Sequence, residues 1–355
     1  MLVKELRKRW KTLRTIMEEQ KISAVLITDK RNVFYLTGKS FGNLLITKNL
    51  EMLFLGDLYR KIYEEFYEHK KHIFETYQIE SKEEFFKKLS EILKKLKIKL
   101  LLVDNKNVET LENLKRKLKV SLKYIDILRE MRAIKSEYEI FSLRKSANIA
   151  KKVMKKAYSI IREGVKETDA IAEIEAMIRK LGSEEPPFGN GVLLSSGKDS
   201  AEIHPILRKG KKIKENCFVV LDLGAKINGY YSDMTRTMKI SDLSTEDEKI
   251  FEFVKNLEME IIDKVDDSTK AKELHKFAEN EIKKLGYKFY HSLGHGIGLD
   301  VHELPNLSSD SKDVLSKGMV FTIEPGIYIP KKFGVRFEDM ILLNKKGKAE
   351  ILTKI

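Results

Sequence analysis

The feature that most limits the fold of this 355-residue chain is a set of acidic residues inside short apolar segments towards the C-terminus. Asp222 ends Cys-Phe-Val-Val-Leu-Asp, and Asp233 follows Gly-Tyr-Tyr-Ser. Glu324 ends Met-Val-Phe-Thr-Ile-Glu, and Glu338 lies within Val-Arg-Phe-Glu-Asp-Met-Ile-Leu. Short apolar runs of this kind are typical of buried strands. The pattern therefore predicts a half-buried sheet with carboxylates on it, and each carboxylate needs a positive partner.

The two aspartates are expected to lie on one face of a β-hairpin. Asn228-Gly229 is a strong hairpin signal, and it separates the predicted strands Phe218–Ala225 and Tyr230–Lys239. A two-residue loop places Asp222 diagonal to Asp233, whereas a four-residue loop ending at the same glycine places them directly opposite. In either register the two side chains share a face, with their backbones roughly 5 to 8 Å apart.

Divalent metal ions are the partner that this number of carboxylates favours. Arg236 and Arg336 offer a purely structural alternative, but the four carboxylates outnumber them. His295 adds the one imidazole that such sites commonly include. One nitrogen and four hard oxygen donors suit a pair of bridged ions such as Mn²⁺ or Co²⁺ better than one tetrahedral Zn²⁺, although Zn²⁺ is an alternative ion.

Histidines are concentrated in one glycine-rich segment. Three of the seven, His291, His295 and His302, lie in His-Ser-Leu-Gly-His-Gly-Ile-Gly-Leu-Asp-Val-His. The spacing of the first two is that of a helical zinc motif, but each of the three glycines costs a helix about 1 kcal/mol relative to alanine. The segment is therefore predicted to be a turn and a strand that bring backbone close to a ligand.

The chain is expected to form two domains, because its length exceeds what one ordinary core covers. Alternating helical and strand-like patterns predict a smaller, mixed α/β domain over residues 1–128, and longer helices with antiparallel strands predict an α+β domain over residues 129–355. The N-terminal segments are predicted helices at about 1–20, 58–69, 82–96 and 108–118, and predicted strands at 24–28, 33–36, 44–47, 52–55, 100–103 and 122–124.

Local signals also predict where two helices of the C-terminal domain begin. Thr168 is expected to cap one helix, and Thr245-Glu-Asp-Glu has the spacing of a capping box for another. His69 and His72 flank a lysine pair and are expected on the surface. The segment from residue 184 to 197, rich in proline and glycine, is predicted to be loop, strand and loop.

Composition argues against several partners. The net charge is +14, but the lysines are dispersed through helical segments and interleaved with glutamate, and no recognition motif accompanies them, so no nucleic-acid partner is expected. No stretch approaches the roughly 18 apolar residues of a membrane span, and the N-terminus has no apolar signal core. The single cysteine, Cys217, excludes an internal disulfide. A cytoplasmic protein is the expectation.

The C-terminal segments resemble the pita-bread metallopeptidases, the family of methionine aminopeptidase, aminopeptidase P and prolidase. The resemblance spans about residues 134–355. It rests on Asp222-Leu-Gly, Ser232-Asp-Met-Thr-Arg, His291-Ser-Leu-Gly-His-Gly-Ile-Gly, Val301-His-Glu-Leu-Pro, Thr322-Ile-Glu-Pro-Gly-Ile-Tyr and Val335-Arg-Phe-Glu-Asp. The resemblance implies a pita-bread fold in which two metal ions are bound by Asp222, Asp233, His295, Glu324 and Glu338, with Asp233 and Glu338 bridging them.

Within the family, the chain is most similar to the proline-specific branch. Arg336, two residues before the last glutamate, and His302, seven residues after the metal histidine, resemble that branch, as does the preceding α/β domain. By the same resemblance, His291 and His302 line the substrate side, and Arg336 orients the carboxylates. His204 is a further candidate, although the sequence that follows it, Pro-Ile-Leu-Arg-Lys-Gly-Lys-Lys, departs from the family pattern.

The implied function is an Xaa-Pro aminopeptidase that acts on peptides with proline at the second position. A hydroxide bridging the two ions would attack the carbonyl, Glu324 would carry the proton, and a histidine would donate to the oxyanion. The alternative within the family is an Xaa-Pro dipeptidase, or prolidase. An inactive pita-bread binding module and a metal-free, creatinase-like hydrolase are disfavoured because all five ligands are present. A homodimer is expected from the resemblance alone.

Overall fold

The computed structural model describes residues 2–67, 74–185 and 191–355 of the chain. The chain divides into two compact units, Met1–Met131 and Arg132–Ile355. His69 and His72 lie outside the described residues, as do residues 186–190 of the predicted loop. None of the described helices combines the length and the apolar character that crossing a lipid bilayer requires.

The first part of the chain alternates helices and strands, as its sequence pattern predicts. In chain order the elements are α1 (Leu2–Glu19), β1 (Ala24–Ile27), α2 (Lys30–Thr37), β2 (Asn43–Thr47), β3 (Glu51–Leu55), α3 (Asp57–Tyr67), β4 (Glu75–Gln78), α4 (Lys82–Lys95), β5 (Leu100–Val103), α5 (Val108–Lys117), β6 (Ser121–Tyr124) and α6 (Ile127–Ala133).

Six of these strands form one mixed sheet, in the order β4-β3-β2-β1-β5-β6. The central strand β1 pairs antiparallel with β2 and parallel with β5, and parallel pairing also joins β3 to β4 and β5 to β6. Apolar residues of β1, β5, α4 and α5 form a buried core on this sheet. The predicted mixed α/β arrangement of the N-terminal part is thus confirmed.

One predicted strand of this unit, residues 33–36, is wrong. Residues Lys30–Thr37 form helix α2, which begins after Asp29, whose side chain accepts hydrogen bonds from the backbone N–H groups of Arg31 and Asn32. The helix ends at Gly38, which has a left-handed conformation with φ of 72°. The four apolar residues that suggested a strand are too few to distinguish the two periodicities, so the caps decide the structure.

The second unit consists of antiparallel strands with long helices. Its further elements are α7 (Glu137–Ile160), α8 (Glu167–Lys180), β7 (Leu193–Ser196), a 3-10 helix (Gly197–Ala201), β8 (Cys217–Leu223), β9 (Lys226–Ile227), β10 (Tyr230–Tyr231), β11 (Met234–Ile240), α9 (Thr245–Asp263), α10 (Ala271–Lys284), β12 (His295–Gly296), β13 (Glu303–Asn306), β14 (Val320–Ile323), β15 (Gly326–Ile329), β16 (Phe333–Arg336), β17 (Asp339–Leu343) and β18 (Ala349–Ile351).

Two sheets carry the acidic residues of this unit. One has the order β11-β8-β7, and the other has the order β13-β12-β14-β17-β18. Helices α7 and α8 pack on the first sheet through one buried apolar cluster, and α9 and α10 pack on β14 to β17 through another. The α+β class is confirmed.

Two predicted helix caps lie one or two residues from the true ones. Helix α9 is capped by Ser244, whose hydroxyl accepts from the backbone N–H of Asp247, and Thr245 is its first residue. Helix α8 begins after Lys166, without a side-chain cap, so Thr168 does not cap it. A complete capping box stands instead at the start of α7, between Ser136 and Glu139.

Phe218 is the residue whose loss should destabilise this unit most clearly. It is fully buried, and its ring lies 4.8 Å from that of Phe333 and 5.7 Å from that of Phe251. Phe218→Ala should lower the free energy of unfolding by about 3–5 kcal/mol, because the cavity cannot fully collapse. Urea titrations followed by circular dichroism measure the change. Phe141→Ala, at a half-exposed phenylalanine of α7, is the matched control and should cost under about 0.5 kcal/mol. Equal losses would contradict the packing described here.

Candidate metal centre

The aspartate hairpin has the shorter of the two predicted loops. Ile227 pairs with Tyr230, so Asn228 and Gly229 form the two-residue turn, with φ values of 53° and 83°. The same register continues into the longer strands, where Asp222 pairs with Thr235. Asp222 and Asp233 are therefore diagonal neighbours on one face, which confirms the first of the two predicted registers.

The two glutamates come from the neighbouring sheet. Glu324 directly follows β14, and Glu338 directly precedes β17, which pairs antiparallel with β14. A single bridge between Thr235 and Glu338 joins this sheet to β11, and the N–H of Glu338 donates to the carbonyl of Thr235. The hydroxyl of Thr235 donates to Oε2 of Glu338 over 2.7 Å. The carboxylates of both sheets thus meet where the sheets join.

His295 reaches this point from a strand, as the glycines around it predicted. A side chain at position 294 would collide with the carbonyl oxygen of Thr322, and one at position 296 would collide with that of Leu304, so only glycine allows the strands to approach this closely. Nδ1 of His295 lies 3.1 Å from the carbonyl oxygen of Gly296. When Nδ1–H donates there, Nε2 keeps a lone pair free for a metal ion.

All five predicted ligands line one cleft of about 1190 Å³. Nε2 of His295 lies 3.7 Å from Oδ2 of Asp233 and 3.6 Å from Oε1 of Glu324. Ligand atoms of Asp233, His295 and Glu338 all lie within 4.8 Å of one another. The fold therefore brings the five predicted ligands to one cleft.

The residues fit divalent cations, because their charges are not balanced without them. Oδ1 of Asp222 and Oδ1 of Asp233 are buried without a hydrogen-bond partner among the described residues. Burial raises the pKa of Asp233 well above its ordinary value, and the neighbouring Glu338 and Asp222 raise it further. Burial and the charges of Glu324 and Asp222 likewise raise the pKa of Glu338. Buried carboxylates that repel one another in this way are stabilised by a cation placed between them.

Two further pKa shifts suit the same chemistry. Burial raises the pKa of Glu324 to about 8 against the lowering effect of Arg336, and Asp222 adds to the rise. Burial lowers the pKa of His295 to about 3, so its imidazole is neutral, as a metal ligand must be. These directions belong to the protein without ions, and a bound cation favours the ionised carboxylates.

Arg336 connects the carboxylates with the predicted substrate side. Its Nη2 donates to Oδ2 of Asp222 over 2.8 Å, its Nε donates to the hydroxyl of Thr235, and its Nη1 donates to the hydroxyl of Tyr328. The Tyr328 hydroxyl lies 2.9 Å from Nε2 of His291 and can donate to it. One buried guanidinium therefore holds three side chains around the ligand set.

The histidines predicted beside the ligands occupy different positions. His302 lies in the cleft, with its ring centroid 4.3 Å from that of His295. His204 lines the cleft from an exposed loop. His291 has both ring nitrogens occupied, because Nδ1 lies 2.8 Å from the carbonyl oxygen of Ser292. Burial lowers the pKa of His291 to about 4, and Arg336 contributes to the shift.

Two residues of this centre, Thr235 and Tyr328, were not predicted from the sequence. Thr235 stands two positions after Asp233 on the same strand face, and strand alternation could have identified it. Tyr328 is fully enclosed beside Arg336 on the paired strands β15 and β16. It ends the family motif Thr322-Ile-Glu-Pro-Gly-Ile-Tyr, but strand alternation assigns it no partner, because His291 and Arg336 come from other strands or loops.

The chain is similar to known proteins in both sequence and structure. Residues 142–345 match the profile of metallopeptidase family M24, and residues 9–134 match the creatinase/prolidase N-terminal domain. The chain is 38% identical to an Xaa-Pro dipeptidase of Pyrococcus horikoshii, over 95% of this chain and 94% of the relative. Among solved structures, it is similar to the prolidase from Pyrococcus furiosus, with a TM-score of 0.87 and 33% identity over 96% of this chain and 99% of that chain. It is also similar to an X-Pro aminopeptidase from Thermotoga maritima, with a TM-score of 0.84 and 28% identity over 97% of each chain.

The repulsion within the ligand set predicts how stability depends on pH when no metal is bound. Asp233, Glu324 and Glu338 have folded-state pKa values above their ordinary ones. Their contribution to stability is fully present below the unfolded-state pKa of about 4 and is lost as pH rises through the folded-state values, about 8 for Glu324. The lowered pKa values of His291 and His295 oppose this trend below about pH 6.5, where the histidines of the unfolded chain take up protons. The unfolding temperature of the EDTA-treated protein should therefore fall between pH 6.5 and pH 8.5, and Mn²⁺ should restore it.

Asp233→Asn is the matched variant for this measurement, because it removes one of the repelling charges at nearly constant volume. Without metal, the variant should unfold at a higher temperature than the native protein at pH 8.5, and the difference should shrink towards pH 5. Mn²⁺ should stabilise the variant far less. A metal-free native protein that loses no stability relative to the variant as pH rises would contradict the repulsion. Differential scanning calorimetry with and without Mn²⁺ measures all four states.

Proposed function

Because this chain belongs to metallopeptidase family M24, we propose that it hydrolyses the peptide bond before proline and that Xaa-Pro dipeptides are its main substrates. The convergence of Asp222, Asp233, His295, Glu324 and Glu338 in one cleft carries the proposal of metal-dependent hydrolysis. We further propose that these five side chains bind two divalent ions, with Mn²⁺ or Co²⁺ favoured by four oxygen donors and one imidazole.

The relatives support the dipeptidase over the aminopeptidase that the sequence placed first. The Pyrococcus horikoshii relative is an Xaa-Pro dipeptidase, and the Pyrococcus furiosus structure is a prolidase. Both are more similar in sequence to this chain than the X-Pro aminopeptidase of Thermotoga maritima is, at 38% and 33% identity against 28%. The proposal therefore takes the dipeptidase as the main activity and keeps the aminopeptidase as the rival.

A metal-based site suits proline-containing substrates for a physical reason. Proline has no backbone N–H, so a protease that anchors its substrate through that group loses a contact. Bound divalent ions supply a Lewis acid for the carbonyl and lower the pKa of water towards about 7. The protein's own residues must then hold the ligands in place, move a proton and stabilise the developing oxyanion.

Glu324 is the residue that we propose to move the proton. Its carboxyl group faces two histidines, with Oε2 4.0 Å from Nδ1 of His291 and Oε1 3.6 Å from Nε2 of His295. Arg336 fixes Asp222 through a direct hydrogen bond of 2.8 Å and holds Tyr328 in the same network. Arg336 thus acts in this proposal as an orienting partner of the ligands.

His302 is the histidine best placed to act on substrate. It lies in the cleft beside His295, whereas the ring nitrogens of His291 already have Tyr328 and the Ser292 carbonyl as partners. We propose that an imidazole N–H of His302 donates to the oxyanion and that His291 supports the site through Tyr328. His204, on the exposed loop, is proposed to contact the outer part of the substrate.

The choice between the two peptidase activities is decided by substrate length. With Mn²⁺ bound, kcat/KM for Gly-Pro should exceed that for Gly-Pro-Ala by about tenfold or more, a difference of at least about 1.4 kcal/mol between the transition states. Gly-Ala is the control without proline and should be cleaved slowly. Faster cleavage of the tripeptide would replace the dipeptidase by the aminopeptidase. Cleavage of neither proline peptide would refute the proposed function.

His302→Ala should separate catalysis from metal binding. We expect kcat for Gly-Pro to fall by about 100-fold, since a lost oxyanion donor costs roughly 3 kcal/mol, while bound Mn²⁺ stays at the native level. Elemental analysis of the purified variant checks the metal content. Glu338→Gln is the matched control, because it should lose both metal and activity. Loss of metal in the His302 variant would instead place that histidine among the ligands.

A further inference from the structure

A buried ionic cluster is formed at Glu303, the residue that follows His302 in the chain. Its centre is Glu303, which is 1% exposed and belongs to none of the ligands described above. Oε1 of Glu303 accepts hydrogen bonds from Nε and Nη2 of Arg132, and Oε2 lies 3.4 Å from Nζ of Lys135. Burial raises the pKa of Glu303, but Lys135 and Arg132 outweigh it and hold the pKa below its ordinary value. The carboxyl group is therefore ionised inside the protein.

The same carboxylate closes the turn that carries His302. The backbone N–H of Asp300 donates to Oε1 of Glu303 over 2.9 Å, and the N–H of Gly298 donates to the carbonyl of Asp300 over 3.0 Å. The carboxylate occupies the space that a side chain at position 298 would need, with Oε2 2.5 Å from the place of that Cβ. The Glu303 carboxylate thus packs against Gly298 and holds the backbone of residues 298–303 in a closed turn.

The backbone of the segment that carries Arg132 and Lys135 is joined to the chain just before β14. The backbone N–H of Lys135 donates to the carbonyl of Gly318 over 2.9 Å, and Ile134 bridges Met319 immediately before β14. Strand β14 pairs with β12, which begins at His295. The cluster therefore ties the turn of His302 to the same strand that leads into Glu324.

Stability alone does not explain such a cluster. Burying three charged side chains costs desolvation, and a well-packed apolar set of the same volume is often as stable. Unlike an apolar set, the ionic cluster fixes orientation, because its hydrogen bonds hold the Glu303 carboxylate and the turn in one arrangement. Asp300, Val301 and His302 of this turn line the cleft, and of these His302 is the one whose ring packs edge-on against that of His295.

We propose that Glu303 is a positioning residue for His302, held in place by Arg132 and Lys135, and that it acts on peptide hydrolysis only through that histidine. The inference rests on the proposed function. It adds a role for a residue that neither binds the metal nor reaches the substrate. A displacement of about 1 Å at a catalytic group can cost up to about 100-fold in rate, so this support matters for turnover.

The test uses Glu303→Gln, which keeps the volume but turns an amide NH₂ towards the lysine ammonium or the arginine. With Zn²⁺ bound, a proton–carbon correlation spectrum of the histidine-labelled protein reports the environment of the His302 ring, and His302→Ala identifies its signal. We expect Glu303→Gln to move this signal and to lower kcat for Gly-Pro by about 10- to 100-fold at unchanged metal content. An unmoved signal with native kcat would overturn the proposal.

Two further variants keep the test independent of folding. Lys135→Met leaves the bonds from Arg132 and Asp300 in place and frees Oε2 of Glu303, so it should move the same signal by less. Glu167→Gln is the matched control, because Glu167 is 3% exposed and paired with Lys211 over 2.8 Å but does not touch the turn. It should lower the unfolding temperature and leave the His302 signal in place. A shift of that signal as large as the one in Glu303→Gln would mean that the effect is not specific, and would overturn the proposal.

A double-mutant cycle decides whether Glu303 acts through His302. In the His302→Ala background, Glu303→Gln should change kcat less than about twofold, because the group that it positions is already absent. Multiplicative losses of kcat would show an independent role for Glu303 and overturn the proposal. The spectrum is informative even if the native protein does not cleave Gly-Pro, so a failure of the proposed function is distinguishable from a failure of this inference.

Discussion

The repulsion among buried carboxylates is the constraint on which the rest of the catalytic unit depends. Two sheets each deliver two acids to the place where they join, and His295 is the one imidazole among the five predicted ligands. Without cations, oxygen atoms of both aspartates stay buried and unpartnered among the described residues. Arg336 offsets only part of this charge: it donates a hydrogen bond to Asp222 and lowers the pKa of Glu324 and Glu338, but burial and the neighbouring carboxylates still raise both values. The folded protein thus holds more buried negative charge than its own side chains balance, and bound divalent cations would balance it.

The parts of the site that follow from strand periodicity could be predicted from the sequence. Alternation along a strand places Asp222 and Asp233 on one face whichever loop connects them, and the Asn228-Gly229 turn selects the register. The three glycines around His295 disfavour a helix because glycine loses more backbone entropy than other residues when it is fixed in one. The predicted strand at residues 33–36 was wrong, because four apolar residues are too few to distinguish the periodicity of a strand from that of a helix. Asp29 caps these residues as a helix.

Partners that come from distant segments could not be predicted in the same way. Tyr328 reaches His291 across 37 positions, and Arg132 reaches Glu303 across 171. Neither pairing leaves a local pattern, because it depends on how sheets pack rather than on propensity. The four acidic residues could be predicted as ligands because an acid on an apolar strand is unusual by itself. Tyr328 and Arg132 are not unusual in this way, so their contacts appear only in the folded structure.

The bond between Thr235 and Glu338 has a consequence for how the molecule is held together. It lies at the only isolated β-bridge between the two acid-bearing sheets among the described residues, and Arg236 joins the same sheets through Asp339 and the carbonyl of Glu338. Metal ions bound there would contact residues of both sheets. Tighter metal binding would therefore also raise the free energy needed to separate the two sheets. Without metal ions, the contact between the two sheets should weaken before the helices and strands themselves unfold.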